Sequence, residues 1–411
     1  MKVMKRSEAL VAGAGLLAGA ALPSLPASAA EPILLGWVGP LSPPGGYAAG
    51  QEMKWAAQLA TNEVNARGGV LGRQLQVFYE DTKGTPDQGT AAMERLATRH
   101  VSAVFGEFHS SVALAETKVA HKYGIPFLGT DVWADQITAQ GLPEVFRVCP
   151  ANSLIYTMVG NWAAAAGFKN VAIMQEATDY GVGAVQVLTG IFKKHGINAN
   201  VVTVEMNQQD FTPEILRLMN QPQRPDIFMI IVAGNSLYDI VRQACNSNFA
   251  PTAQTAIYSG GGPALEKELW ENDGKCAVDL IAEDVALPKT QWNAKAKAFV
   301  AAFEKQFKRP PTGTAMESYD CVGVLTAAIA DAKSTNGKAI IAAMERLKYT
   351  GARGTYAFSS SHAPTWAYHQ YMDAPIMLVQ YSKENQTPDD APILFPRKWA
   401  TLKELYIKRP S

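Results

Sequence analysis

Hydrophobic residues along this chain alternate between two patterns: short unbroken apolar runs, and longer stretches with a single apolar face. Residues 33–38 are a run of the first kind, suited to a strand buried on both sides. In residues 50–65, Met53, Ala56, Ala57, Ala60 and Val64 fall on one face of a helix. The glycine-rich segment 67–72 stops that helix and reverses the chain. The alternation continues as strand 75–79, helix 89–98, strand 103–106, helix 113–122 and strand 125–128. Repeated β-α-β units of this kind predict an α/β fold, a parallel sheet with helices on both faces.

A second set begins after Pro150, with helices at 154–165, 183–195, 211–220 and 235–247 and strands at 170–175, 199–204, 226–232 and 256–258. Asp210 and the run Thr212-Pro213-Glu214 supply start signals for one of these helices. Beyond Pro288 come three helical stretches, 293–308, 314–331 and 338–347, too few to build a domain and therefore expected to pack on one of the two units. The segment 355–381 alternates apolar and polar residues like two strands.

The amino terminus carries a different pattern. Lys2, Lys5 and Arg6 precede an apolar run of only Ala, Leu, Val and Gly from Ala9 to Leu22, followed by Pro23, Pro26 and the small residues Ala27 to Ala30. This is the layout of a secretory leader cut after Ala29 or Ala30. Its apolar core of about 14 residues is short of the roughly 20 that span a bilayer. Gly13 to Ala18 fits a dinucleotide-binding fingerprint in spelling alone, because no strand precedes it. With no Cys near the cut and no twin-Arg pair, the chain is expected to be exported to the periplasm by the general route, without a lipid anchor.

Composition narrows the options further. A content of 47% hydrophobic and 18% charged residues describes a globular chain. The 37 basic residues balance 37 acidic ones, which gives no attraction to nucleic acid or an anionic membrane. The four cysteines, Cys149, Cys245, Cys276 and Cys321, form no zinc-like or redox spacing. One or two disulfides or buried free thiols all remain open. The sequence holds no G-x-S-x-G and no H-E-x-x-H, and its six His are scattered, so no enzyme is expected. No cofactor or metal is expected either.

Several pieces in order point to a known family. They are Gly36-Trp37-Val38-Gly39-Pro40-Leu41-Ser42, Tyr47, and the run from Asn62 through Gly68-Gly69-Val70-Leu71-Gly72-Arg73. Glu80-Asp81-Thr82, Val104-Phe105-Gly106, Ser110-Ser111, Tyr123-Gly124-Ile125-Pro126-Phe127, Phe146-Arg147 and Asp179-Tyr180-Gly181 follow. In this order the chain resembles the leucine/isoleucine/valine-type periplasmic binding proteins that serve ABC importers. The resemblance implies a two-lobed type I fold, each lobe a parallel-sheet α/β sandwich, with the chain crossing between lobes three times. The crossings are expected near 149–150, 285–289 and 359–364. Residues 31–150 with 286–358 would then form the first lobe, and 151–285 with 359–411 the second. The expected partners are a small-molecule ligand and the membrane permease of the importer, with the protein itself a monomer.

The resemblance also implies a cleft site. Ser110 matches the position that holds a ligand carboxylate, and Ser110 and Ser111 open a helix whose free N–H groups suit an anion; a helix cap is the plainer role. His109 stands beside them. Tyr47 matches an aromatic that closes over the ligand, and Tyr180 another from the second lobe. Asp131, Val132 and Trp133 fall on the next contact loop, with Trp133 where amino-acid binders carry a Thr. Gly261 falls where they carry a Glu for the ligand ammonium. Either Asp131 or Glu176 replaces that Glu, or the ligand has no ammonium. Lys83 and His109 stand near the positions of the family's first-lobe disulfide. The expected ligand is therefore a small carboxylate, an amino acid or an apolar or aromatic acid; a sensory role for the same cleft, or an amide or urea as its ligand, stays open.

Overall fold

The computed structural model describes residues 30–206 and 208–402; the expected leader, but for its last residue, lies outside them. The first unit runs β1 (Ile33–Gly39), α1 (Tyr47–Ala66), β2 (Leu75–Asp81), α2 (Pro86–Thr98), β3 (Ala103–Gly106), α3 (Ser110–Tyr123), β4 (Phe127–Gly129), α4 (Gln136–Ala139) and β5 (Val145–Arg147). Its five strands lie in the order β2-β1-β3-β4-β5, all parallel. β1 and β3 are central and buried almost throughout, which is why they read as unbroken apolar runs.

The second unit runs α5 (Asn152–Ala165), β6 (Asn170–Glu176), α6 (Asp179–His195), β7 (Asn198–Val204), α7 (Thr212–Met219), β8 (Ile227–Ile231), α8 (Ser236–Asn246), β9 (Ala256–Gly260), α9 (Glu268–Asp273) and β10 (Ile281–Asp284). The chain then returns through α10 (Ala294–Phe307), α11 (Gly313–Ala332), α12 (Gly337–Glu345), β11 (Tyr349–Thr350) and β12 (Thr355–Tyr356), and ends in β13 (Met377–Gln380) and β14 (Ile393–Phe395). The second sheet has the order β14-β13-β10-β9-β8-β6-β7, parallel from β7 to β10 and antiparallel at β13 and β14. No described helix is long and apolar enough to cross a membrane.

The three late helices find their place on the first sheet's side. α11 packs along α1 and against β3, and Trp55 of α1 stacks on Phe307 of α10 at 4.8 Å. The third crossing departs from expectation. Residues 359–364 do not enter the second lobe; the strand-like segment beyond them lies along β5. There Arg147 donates its N–H to the carbonyl of His369, and Tyr371 donates to the carbonyl of Arg147, each at 3.1 Å. The His369 ring also stacks on Phe146 at 3.8 Å. The chain therefore passes between sheets between Tyr371 and Met377, and only β13 of the expected strand pair joins the second sheet. Of the cysteines, Cys245 and Cys276 form a disulfide between α8 and the turn after α9, while Cys149 and Cys321 are buried free thiols.

The crossings are held by buried guanidinium groups. Arg353 donates to the carbonyls of Val285 at 2.7 Å and Val148 at 3.5 Å, the residues where two crossings begin. Its other partner is Glu317 of α11, 2.7 Å away, with both side chains closed to solvent. Asp320, one turn on, fixes the backbone of this loop by accepting the N–H groups of Ala352 and Arg353 at 2.7 and 2.9 Å. Arg147 similarly binds the carbonyls of Val132 and Ala134 and the side chain of Gln370. Replacing Arg353 by Met should destabilise the protein by about 3–5 kcal/mol, because an acidic group and two carbonyls lose their buried partner. Urea unfolding measures it, and the double variant Arg353→Met, Glu317→Leu should recover part of that loss.

Candidate functional site

Between the two sheets lies a cavity of about 220 Å³. Its walls come from segments just past the carboxyl ends of β2, β3 and β4 on one side and β6, β7, β8 and β9 on the other. Open parallel sheets place ligands there, because strand ends and helix starts converge on one edge.

The first-lobe wall is built by the turn from β3 into α3. Gly106 has φ +127, and a Cβ there would fall 2.1 Å from the Val38 carbonyl, so only glycine lets the chain turn at this point. Glu107 then folds its carboxylate back on the N–H groups of Phe108 and His109, both at 2.9 Å. Its carboxyl is pushed up to about 7 by burial. Glu116, buried beside it, is held well above the carboxylate range by burial and by the Glu107 charge. His109 accepts a hydrogen bond from the Gly46 N–H at Nε2, 3.1 Å away, and burial lowers its pKa to about 4, so the ring is neutral.

α3 begins at Ser110, with His109 as its cap. Ser110 is therefore the first helical residue rather than the cap, and both its N–H and that of Ser111 belong to the first turn, which has no carbonyl partner up the helix. Ser110 Oγ accepts the Ala134 N–H at 3.1 Å, leaving the hydroxyl proton for the cavity. Ser111 Oγ accepts the Asp179 N–H at 3.2 Å, a direct bond from α3 to the start of α6 across the cleft.

The aromatic wall joins both lobes. The Trp133 ring lies 5.7 Å from that of Tyr180 at 76°, an edge-to-face pair. The Trp133 indole N–H donates to Asp131 Oδ1. Tyr180 shares a hydrogen bond of 2.6 Å with the Tyr156 hydroxyl, which donates to Glu283 at 3.2 Å, and Tyr258 donates to the other Glu283 oxygen. Gly260 makes room for this network, since a Cβ there would fall 2.6 Å from the Tyr156 oxygen. Burial pushes the Glu283 carboxyl up to about 8.

Two acids line the cavity, and both are engaged by protein donors. Asp131 takes Trp133 at one oxygen and the Thr314 hydroxyl at the other, 3.0 Å away. Glu176 takes the Thr178 hydroxyl at 2.5 Å and the Ala233 N–H at 2.8 Å. Burial raises the pKa of each. Among the described residues no cluster of His, Cys, Asp or Glu is arranged to hold a metal ion.

Of the residues singled out from sequence, His109, Ser110, Ser111, Asp131, Trp133, Tyr180 and Gly261 all line this cavity. Tyr47 does not: it starts α1 with its side chain 43% exposed, and Gly46 before it is the residue that approaches Phe108. Val132 does not either, because its side chain is fully buried and its N–H is spent on Cys149 Sγ at 3.1 Å. Phe108, Thr178, Met206 and Ala233 were missed, although each follows a strand by a few residues, which is the signal that locates them.

Fold and cleft together define a two-lobed α/β protein with a cavity between its sheets. The chain belongs to the periplasmic binding protein family, whose pattern it matches over residues 32–386. Leu/Ile/Val-binding protein homolog 7 of Brucella suis is 25% identical over 341 residues, covering 80% of this chain and 82% of that one. A branched-chain amino acid transporter substrate binding protein from Streptococcus pneumoniae, solved with isoleucine, superposes with a TM-score of 0.78 at 22% identity, covering 89% of this chain and 100% of that one. An ABC transporter solute binding protein from R. palustris, solved with benzoate, gives a TM-score of 0.74 at 22% identity, covering 90% and 99%. Family membership makes the protein a binding protein rather than an enzyme and implies a periplasmic location.

The tyrosine-bound acid has a testable signature. Glu283 keeps in the folded state a proton that the unfolded chain releases above its ordinary value of 4.5, since its folded value is about 8. Its contribution to stability is therefore complete below about pH 4.5 and is lost as the pH rises to about 8. Glu283→Gln should flatten that part of the curve in urea unfolding followed from pH 5 to 8. An unchanged slope would contradict the assignment.

Proposed function

We propose that the protein binds a small apolar carboxylate in its cleft, an aromatic acid foremost, and delivers it to the membrane permease of an ABC importer by lobe closure. In this reading a leader is removed on export and the mature protein acts as a monomer. The first lobe comprises residues 31–150 with 286 to about 371, where the observed third crossing begins. One observation carries the ligand assignment: the cavity offers an anion the free first-turn N–H groups of α3 and the Ser110 hydroxyl, while both of its own acids are occupied by protein donors. A carboxylate gains charge-assisted hydrogen bonds there. A buried ammonium would need an ionised acid with a free lone pair facing it, and the raised pKa values of Asp131 and Glu176 work against that.

An amino-acid ligand is the second reading. Glu176 favours it, as a carboxyl at the cavity wall opposite the α3 start, and so does the structural likeness to a protein solved with isoleucine. The likeness to a protein solved with benzoate supports the first reading to the same degree. A sensing partner in place of a permease would use the same closure and is separated by measuring ligand uptake in cells with and without the protein.

Calorimetry with matched pairs distinguishes the ligand readings, with phenylalanine set against 3-phenylpropionate and leucine against 4-methylpentanoate. The plain acids should bind more tightly in both pairs; tighter binding of both amino acids would return the role to amino-acid uptake. Ser110→Ala should weaken binding of the preferred acid by about 1.5–3 kcal/mol, the range for a hydrogen bond to a charged group. Amidation of the ligand should be at least as damaging, and equal binding of acid and amide would rule out the anion site.

A further inference from the structure

Asp131 lines the cavity, yet its oxygens face away from any ligand in what they bind. One accepts the Trp133 indole N–H and the other the Thr314 hydroxyl at the start of α11. Glu317, one turn along α11, lies beside Asp131 while its own Oε1 pairs with Arg353 at 2.7 Å. Asp131 is 3% exposed, Trp133 5%, Glu317 fully buried and Arg353 1%. The indole is thus fixed from below by Asp131, which Thr314 ties to the start of α11.

The direction of that indole matters for shape. Trp133 and Tyr180 meet at 76° and form a corner, one ring from each lobe. A planar ring can stack on one wall and meet the other edge-on, both favoured aromatic arrangements, whereas a branched aliphatic chain fills the corner by area alone. The backbone does not hold the indole in this pose: its Nε1–H would be a buried orphan donor without Asp131, and such a donor drives a change of rotamer.

We propose that Asp131 is a positioning residue that makes the cleft selective for planar aromatic carboxylates, by aiming the Trp133 indole at Tyr180. The inference rests on the carboxylate reading given above and deepens it.

The probes are benzoate and 4-methylpentanoate, and the readout is the ratio of their dissociation constants by calorimetry. A merely structural role would lower both affinities together and leave the ratio unmoved. In Asp131→Ala, benzoate should lose about threefold to tenfold relative to 4-methylpentanoate, the worth of one oriented aromatic pair. Asp131→Asn keeps an oxygen for the indole and should hold the wild-type ratio. Trp133→Leu keeps the Asp131 carboxyl and its Thr314 bond, removes only the indole donor, and should reproduce the Ala result, which keeps the test decisive if Asp131→Ala fails to fold. Equal weakening of both ligands in the Ala and Leu variants, or an Asn variant that behaves like Ala, would overturn the proposal. If the wild type refuses both acids, that counts against the carboxylate reading alone, and the same ratio read on phenylalanine and leucine then decides the role of Asp131.

Discussion

Where the chain passes between its two sheets the backbone leaves every ladder, and a buried cation holds the joint. Arg353 reaches the carbonyls of Val148 and Val285, where the chain leaves and re-enters the first unit, and its charge is met by Glu317. Backbone carbonyls at a crossing have no ladder partner, and a guanidinium with five donors in a fixed fork can serve several at once. Loss of that one group would leave carbonyls and acids stranded in a space closed to water. The rest of the joint is arranged around this requirement: Asp320 fixes the loop that carries Arg353, and Arg147 with Gln370 repeats the device at the third crossing.

From the joint the same network runs to the cavity. Glu317 lies beside Asp131, Asp131 holds Trp133, and the Trp133 carbonyl accepts the Asn152 N–H at 2.6 Å as the chain enters α5. The cavity therefore shares its wall with this joint. On the opposite side, Ser111 Oγ and the Asp179 N–H meet directly, so the first turns of α3 and α6 approach each other around the space a ligand would fill. Helix starts bring partial positive charge to that space, and burial raises the pKa of the nearby Glu107, Glu116 and Glu283, which lessens the negative charge set against it. Preorganised donors in a dry cleft make selection a matter of shape and of one charge.

Much of this was legible in the residues. The alternation of apolar runs and amphipathic stretches located the β-α-β order, and the serines after β3 located the helix start at the cleft. Trp133 and Tyr180 were singled out through the family resemblance, and both line the cavity where loops after parallel strands converge. Contacts that depend on distant closure were not legible. Asp131 meets Thr314 across 183 positions, and nothing local announces that partner. Cys245 and Cys276 pair because α8 and the turn after α9 bring their Cα atoms to 5.6 Å, a distance no spacing rule supplies. Tyr47 was misplaced because an aromatic after a glycine-rich loop reads the same whether it faces the cleft or solvent. The third crossing was set too early because the short β5 hid a partner for residues 369–371.

The account depends most on where a carboxylate sits when the cleft is filled. A crystal structure of the protein grown with benzoate tests this directly. The account predicts both carboxylate oxygens within hydrogen-bond distance of the Ser110 and Ser111 N–H groups and the Ser110 hydroxyl, with the ring in the corner between Trp133 and Tyr180. A carboxylate turned away from α3, or a copurified ligand holding an ammonium against Glu176, would contradict it.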